Sequence, residues 1–178
     1  MGYCIQTLTG LPLACERSKG GIKKIYVANY ADVESVDVVE GEIATITMKQ
    51  GKKFKPYSFR KETGSMTSTL NVDEKTGLNY VSTELNLVFT KLETIKRMEI
   101  SSLSLGQLAV IVEDCNGNFH YLGKDDYVSV SAGTAQTGTA KGDASSYNLT
   151  LKDESDEFPF PIVHDEIEKV CEKEIVKE

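Results

Sequence analysis

The chain has no tryptophan and only two histidines, His120 and His164. A glycoside-cleaving site needs two carboxylates facing across a sugar cleft. Here the acidic pairs Glu113–Asp114 and Asp125–Asp126 fall at expected strand ends or turns, where acidic residues serve backbone geometry, and no indole lines a groove. His120 stands without the GxSxG or Cys/His partnership that nucleophilic catalysis requires. It reads as a packing or surface residue of a hairpin. Cys4, Cys15, Cys115 and Cys171 lie far apart with no CxxC pair, which speaks against a structural zinc module and fits free or half-buried thiols in a reducing compartment. No run approaches the roughly 18 apolar residues that span a bilayer. The opening MGYCIQTLTGLPLAC lacks a basic n-region, and Gln6, Thr7 and Thr9 break its apolar residues, so no secretory signal is expected. Folding in a cytoplasm, without membrane, metal or cofactor and without catalysis, is the expectation.

What remains is a chain of 178 residues, 40% apolar and 26% charged, which suits one globular domain with terminal arms. Its net charge of −7 is unevenly placed. Residues 153 to 178 hold ten acidic side chains against Lys169, Lys173 and Lys177, so this end alone carries the whole imbalance. Lys49, Lys52, Lys53, Lys55, Arg60 and Lys61 form a local positive stretch. An acidic end and a basic segment on one chain can meet on neighbouring copies, or stay as separately solvated surfaces. Phe54, Tyr57 and Phe59 interleave the cations in a pattern that single-strand nucleic-acid surfaces use, yet a pI near 5 weighs against free nucleic acid as the partner.

The periodicity is mostly β. Residues 1 to 21, ending in SKGG, read as an arm. KKIYVAN (23 to 29) and EIATITM (42 to 48) are rich in strand formers and are separated by a turn-like VVEGE. KFKPYSF (53 to 59) carries Pro56, which places it at an edge or a bulge. SMTSTLNVD and LNYVSTELNLVFT alternate cleanly around the turn EKTG, with Met66, Ser68, Leu70 and Val72 on one face. Val81, Thr83, Leu85, Leu87 and Phe89 share a face of the second strand, so a long antiparallel hairpin with one dry face is predicted. KLETIKRMEISSLSLG switches to near-helical spacing through Leu92, Ile95, Met98 or Glu99, and Leu103, a helix of about three turns stopped at Gly106. QLAVIVED and FHYLG flank Asn116-Gly117 as a tight hairpin.

DYVSVSA and SSYNLTL flank SAGTAQTGTAKGD (131 to 143). A phosphate loop needs GxxxxGK[ST] between a buried parallel strand and a helix. Here Lys141 is followed by Gly142, Asp143 and a strand, so the stretch is predicted as a long hairpin loop of small residues. At the end, Val163, Ile167, Val170 and Cys171 share a helical stripe behind Pro159 and Pro161, suited to docking on its own domain or on a neighbour. The predicted division is an arm over 1–21, a β domain over 22–157 and an acidic segment over 158–178.

The quoted order of segments resembles a known family. TGLPLACERSKGGIKKIYVANYADV, then FRKETGSMTSTLNVDEKTGLNYVSTELNLVFTKLE, the helix from ETIKRMEI, the hairpin LAVIVEDCNGNFHYLG, and TAQTGTAKGDASSYNLTLKDES are similar to tail-tube-like virion proteins of the tailed phages that infect gut Bacteroidales. The likeness spans most of residues 8 to 163; the acidic end after it departs from the simplest tube pattern. The resemblance implies a mainly β fold, an antiparallel β-sandwich or barrel of the tail-tube type with one flanking helix and a short C-terminal helix or arm. It implies copies closing head-to-tail into a ring, six-fold or a multiple, as tail tube, terminator, neck or hub. The implied partners are the chain itself, other tail or neck proteins, and double-stranded DNA in the channel. The expected inter-subunit contacts are Lys49, Lys52, Lys53, Lys55, Arg60, Lys61, Gly133, Thr137, Gly138, Lys141, Asp165 and Glu166. The alternative from another class is a capsid-surface or host-binding β-module.

Overall fold

The computed structural model describes residues 8–13 and 15–173. In chain order the elements are β1 (Ile22–Asn29), a 3-10 turn (Tyr30–Asp32), β2 (Val33–Val39), β3 (Glu42–Met48), β4 (Lys55–Ser58), β5 (Gly64–Val72), β6 (Asn79–Thr90) and α1 (Thr94–Leu105). They continue as β7 (Leu108–Asp114), β8 (Phe119–Leu122), β9 (Ser129–Gln136), β10 (Ser146–Ser155), β11 (Phe160–Pro161) and α2 (His164–Val170). The strands make a five-stranded sheet in the order β11-β8-β7-β1-β4, a four-stranded sheet in the order β5-β6-β10-β9, and the separate β2–β3 hairpin. All strand pairs in these sheets are antiparallel.

The five-stranded sheet is the middle layer, because its central strand is apolar on both faces. In β7 the run LAVIV is buried throughout, as a strand covered on two sides must be. Val110 and Val112, with Ile25, Val27 and Leu122, pack against Leu85, Leu87, Leu149 and Leu151 of the four-stranded sheet, and Leu103 of α1 closes this first core. Ala109, Ile111 and Tyr121 face the other way into a second core. There they meet Ile43 and Ile46 of β3, Phe54, Ile162, and Ile167, Val170 and Cys171 of the C-terminal segment. Gly64 sits where β5 crosses the first core so closely that a Cβ would stand 2.6 Å from Ile22 Cγ1 and 2.7 Å from Phe59 Cε2.

Several expectations are met. The β5–β6 hairpin forms in register from Gly64↔Leu87 to Val72↔Asn79, and its second strand buries Val81, Thr83, Leu85, Leu87 and Phe89. The β7–β8 hairpin turns at Gly117 (φ 88°), and β4 ends the five-stranded sheet with Pro56 in it. The terminal helix docks on its own domain, although Val163 of the predicted stripe stays partly exposed.

Others are corrected. The sheets do not close into a barrel; the four-stranded sheet ends at β5 and β9. VESVDVV forms β2, turning into β3 through Glu40 (φ 54°) and Gly41 (φ 86°). Two register shifts blur its alternation, which hid the strand in the sequence. The loop expected over 131 to 143 is half strand, since β9 runs to Gln136 in pairing with Ser146. On α1 the buried side is Leu103 with Ile100 against it, whereas Ile95 and Met98 face solvent. Within the acidic segment from 158, β11 pairs with β8, and α2 lies in the second core.

Candidate functional site

The six cations of the basic stretch do not form one patch. β4 divides them. Lys52, Lys53 and Lys55 line a cavity of about 450 Å³ between β1, β4 and α1, shared with Asp32, Tyr57, Glu99 and Glu172. Lys52 Nζ stands 3.7 Å from Asp32 Oδ2, and the Tyr57 hydroxyl donates to Glu99 Oε1. Burial, then that bond to Glu99, pushes the Tyr57 hydroxyl well above the ordinary phenol range. Lys49 holds the preceding turn, its backbone N–H donating to Asp32 O. Arg60 and Lys61 lie beyond the other end of β4. Arg60 O accepts from Thr63, and the exposed Lys61 ammonium stands 3.6 Å from Glu62. Lys61 lines a second cavity, about 740 Å³, with Lys19, Lys23, Phe59 and Cys115.

The acidic end reaches the first of these cavities within the same chain. Phe54 N–H donates to Val170 O and Glu172 N–H donates to Phe54 O, a parallel bridge that lays residues 170–172 along the outer side of β4. Glu172 thereby joins Lys52, Lys53 and Lys55. Glu166 is turned inward. Its carboxylate accepts the Ile46 N–H (3.0 Å) and the Lys169 ammonium (2.9 Å). Burial by itself would raise its affinity for a proton, but those two donors outweigh burial and hold it below the usual glutamate range. Asp165, its neighbour, is exposed in the first turn of α2.

The glycine-rich stretch resolves differently. Gly133 belongs to β9 opposite Leu149, while Thr137, Gly138 and Lys141 lie in the connection to β10. Within that connection the Asp143 carboxylate accepts the N–H groups of Thr139 (2.8 Å) and Ala140 (2.7 Å) and the Thr139 hydroxyl (3.0 Å). Those bonds hold Asp143 ionised below the usual range. A phosphate would need the same donors, and the chain's own carboxylate already occupies them.

The four-stranded sheet presents a polar outer face and two strand borders. Val88 N–H donates to Thr63 O, so with the observed register the odd residues of β5 turn their backbone groups to β6. Ser68 and Leu70 turn theirs outward. On β10 the Lys91 N–H bond to Ser145 O directs odd residues to β6 and even ones to β9, so Gly133 and Ala135 turn theirs to the free side of β9. No strand covers either border among the described residues. The face away from the core is rich in hydroxyls and amides: Thr67, Thr69, Ser82, Asn86, Asn148 and Thr150, with Thr150 Oγ1 donating to Asn86 Oδ1 at 2.9 Å. Before β1, Leu8, Leu11 and Leu13 are at least nine-tenths exposed.

His120 Nε2 lies 3.7 Å from Asp114 Oδ2, but that carboxylate is engaged by the backbone N–H groups of Asn116 and Asn118 in the turn. Among the described residues no three His, Cys, Asp or Glu side chains converge as metal ligands, and no helix is long and apolar enough to cross a membrane. Sequence reasoning missed Asp153. Among the described residues its buried Oδ1 has no hydrogen-bond partner, nor has the nearby Tyr121 hydroxyl, a position that strand alternation signals only by placing an acid on the Leu149–Leu151 face. Compared with protein-family models, with curated proteins and with solved structures, the chain matches none of them.

Proposed function

We propose that this chain is a structural ring protein of a tailed-phage virion, one that builds or extends the tail tube. The observation that supports it most is the open four-stranded sheet, which no other described strand covers along the nine residues of β5 or the eight of β9. Long unpaired borders template pairing with another chain, and a monomeric protein normally blunts or covers them. Head-to-tail pairing of β5 in one copy with β9 in the next satisfies both borders at once and closes only as a ring. The hydroxyl- and amide-rich face then lines the channel through which double-stranded DNA passes, while the leucine-bearing arm and the β9–β10 connection reach neighbouring tail or neck proteins. Lys53, Lys55 and the exposed Asp165 are contact residues in this reading; Glu166 acts by holding α2 in place.

Electron microscopy of the purified chain tests it: closed rings or stacked tubes are expected, and discrete small oligomers favour a host-binding module instead. Proline at Leu70 or Ala135 removes only an outward-facing donor, leaving the internal ladders intact. Each variant is expected to fold and to remain unassembled. Rings formed by both variants would sink the edge-pairing scheme.

A further inference from the structure

We propose that Cys15 and Cys115 are a disulfide-forming pair that pins the segment before β1 to the β7–β8 turn. Both thiols are exposed. The segment is already tied to that turn: Lys19 N–H donates to Asn116 Oδ1 (2.8 Å), and Asn116 Nδ2 donates to Lys19 O (3.0 Å) and to Ser18 Oγ (3.4 Å). Cys115 N–H donates to Gly21 O, and Cys115 Sγ lies 3.7 Å from where a Cβ on Gly21 would stand. The Cys115 sulfur thus faces the segment, next to the residue that grips Ser18. Cys15 is three residues from Ser18, so the chain can carry its Cα no farther than about 11 Å from that anchor. A disulfide needs the two Cα atoms within roughly 4.4–6.8 Å, a separation that falls inside this reach. Cys171, by contrast, is buried, and burial pushes its thiol up to about 12.

The cavity beside Cys115 supplies access for an oxidant. Its lining includes Lys19, Lys23 and Lys61, the last paired with Glu62 of the same lining, beside the apolar Ile22 and Phe59, and its volume of about 740 Å³ admits a short charged peptide. Oxidised glutathione has that character. The Cys115 thiolate attacks one glutathione sulfur, the S–S bond breaks, and one glutathione leaves as its thiolate. The Cys15 thiolate then attacks Cys115 Sγ and expels the second glutathione. Two protein thiols have lost two protons and two electrons, and one disulfide oxidant has become two thiols. In a reducing cytoplasm the pair stays open; outside it the bond closes.

The full-length reduced chain is treated with oxidised glutathione, alkylated and digested with trypsin. Cleavage after Arg17, Arg97 and Lys124 yields peptides 1–17 and 98–124. These two peptides are expected to be joined in material that runs as a monomer on a non-reducing gel. The joint is expected to persist in Cys4→Ser and to vanish in Cys15→Ser and in Cys115→Ser. A joint that survives Cys15→Ser, glutathione adducts without the joint, or linkage found only between chains would overturn the proposal.

Discussion

Asp153 and Glu166 are both buried acids, and their surroundings act on them in opposite directions. Asp153 receives one N–H, from Gly123, against burial and the charges of Asp125, Asp126 and Glu154. Burial dominates and raises it from 3.8 to about 6. A carboxyl raised on folding stabilises the protein fully below its unfolded pKa, and that contribution is lost as pH rises through the folded value. Between pH 4 and 7 the wild type is therefore expected to lose about 2–3 kcal/mol relative to Asp153→Asn. Urea denaturation at several pH values reads this difference, and parallel profiles for the two proteins would show that Asp153 folds ionised. Glu166 has the reverse sign: its folded value is lowered, so its contribution is present above the ordinary glutamate range and fades as pH falls through the folded value. Glu166→Ala removes the acceptor of the Ile46 N–H, and about 1–3 kcal/mol of stability should go with it at neutral pH.

At the scale of elements, β4 shows how a proline and a charge cluster define a border. Phe54 turns its backbone to residues 170–172, so two residues on, Pro56 also points its missing donor outward, where no ladder bond is lost. The lysines around it are exposed and face Glu172 and Glu99 as well as solvent. Exposed pairs such as Lys52 with Asp32 stabilise by only about 0–1 kcal/mol. Replacing Lys52, Lys53 and Lys55 together by glutamate should therefore leave the circular dichroism spectrum and the melting transition nearly unchanged while preventing ring or stack formation in sedimentation velocity. Normal assembly by the triple variant would remove charge from the proposed contact. In the β9–β10 connection, Asp143→Ala frees the Thr139 and Ala140 N–H groups. Faster amide exchange at those two positions, with β9 and β10 protected as before, is the expected result.

At the scale of the molecule, one sheet serves two cores. Adjacent residues of β7 feed opposite layers, so Val110→Ala and Ile111→Ala, each fully buried, should both lower global stability by about 2–4 kcal/mol in a single transition. Separate transitions would mean that the layers unfold independently. The C-terminal segment belongs to the second core. A chain ending at residue 157 would uncover Ile43, Ile46 and Phe54, and it should bind a hydrophobic dye and melt well below the full-length protein.

Much of the architecture was legible in the residues themselves. Period-two alternation in 65–90, the apolar run LAVIV, Asn116-Gly117 and Pro56 mark strands, turns and a border through local sterics and burial, which act over a few residues. What local pattern does not carry is which layer covers which face. Leu70 and Val72 continue the dry stripe of β5, yet the sheet outruns its partner and leaves them exposed. Ile95 and Met98 obey helical spacing, yet the helix presents Leu103 and Ile100 to the core instead. The inward turn of Glu166, the burial of Asp153 and the pairing of residues 170–172 with Phe54 depend on segments more than a hundred residues apart, or on opposite sheets, coming together. Sequence alone determined the mainly β character and the hairpins, since each rests on neighbours along the chain. Only the tertiary structure decided the three-layer stack and the two borders that no described strand covers, because burial and edge pairing are properties of what the rest of the fold places alongside.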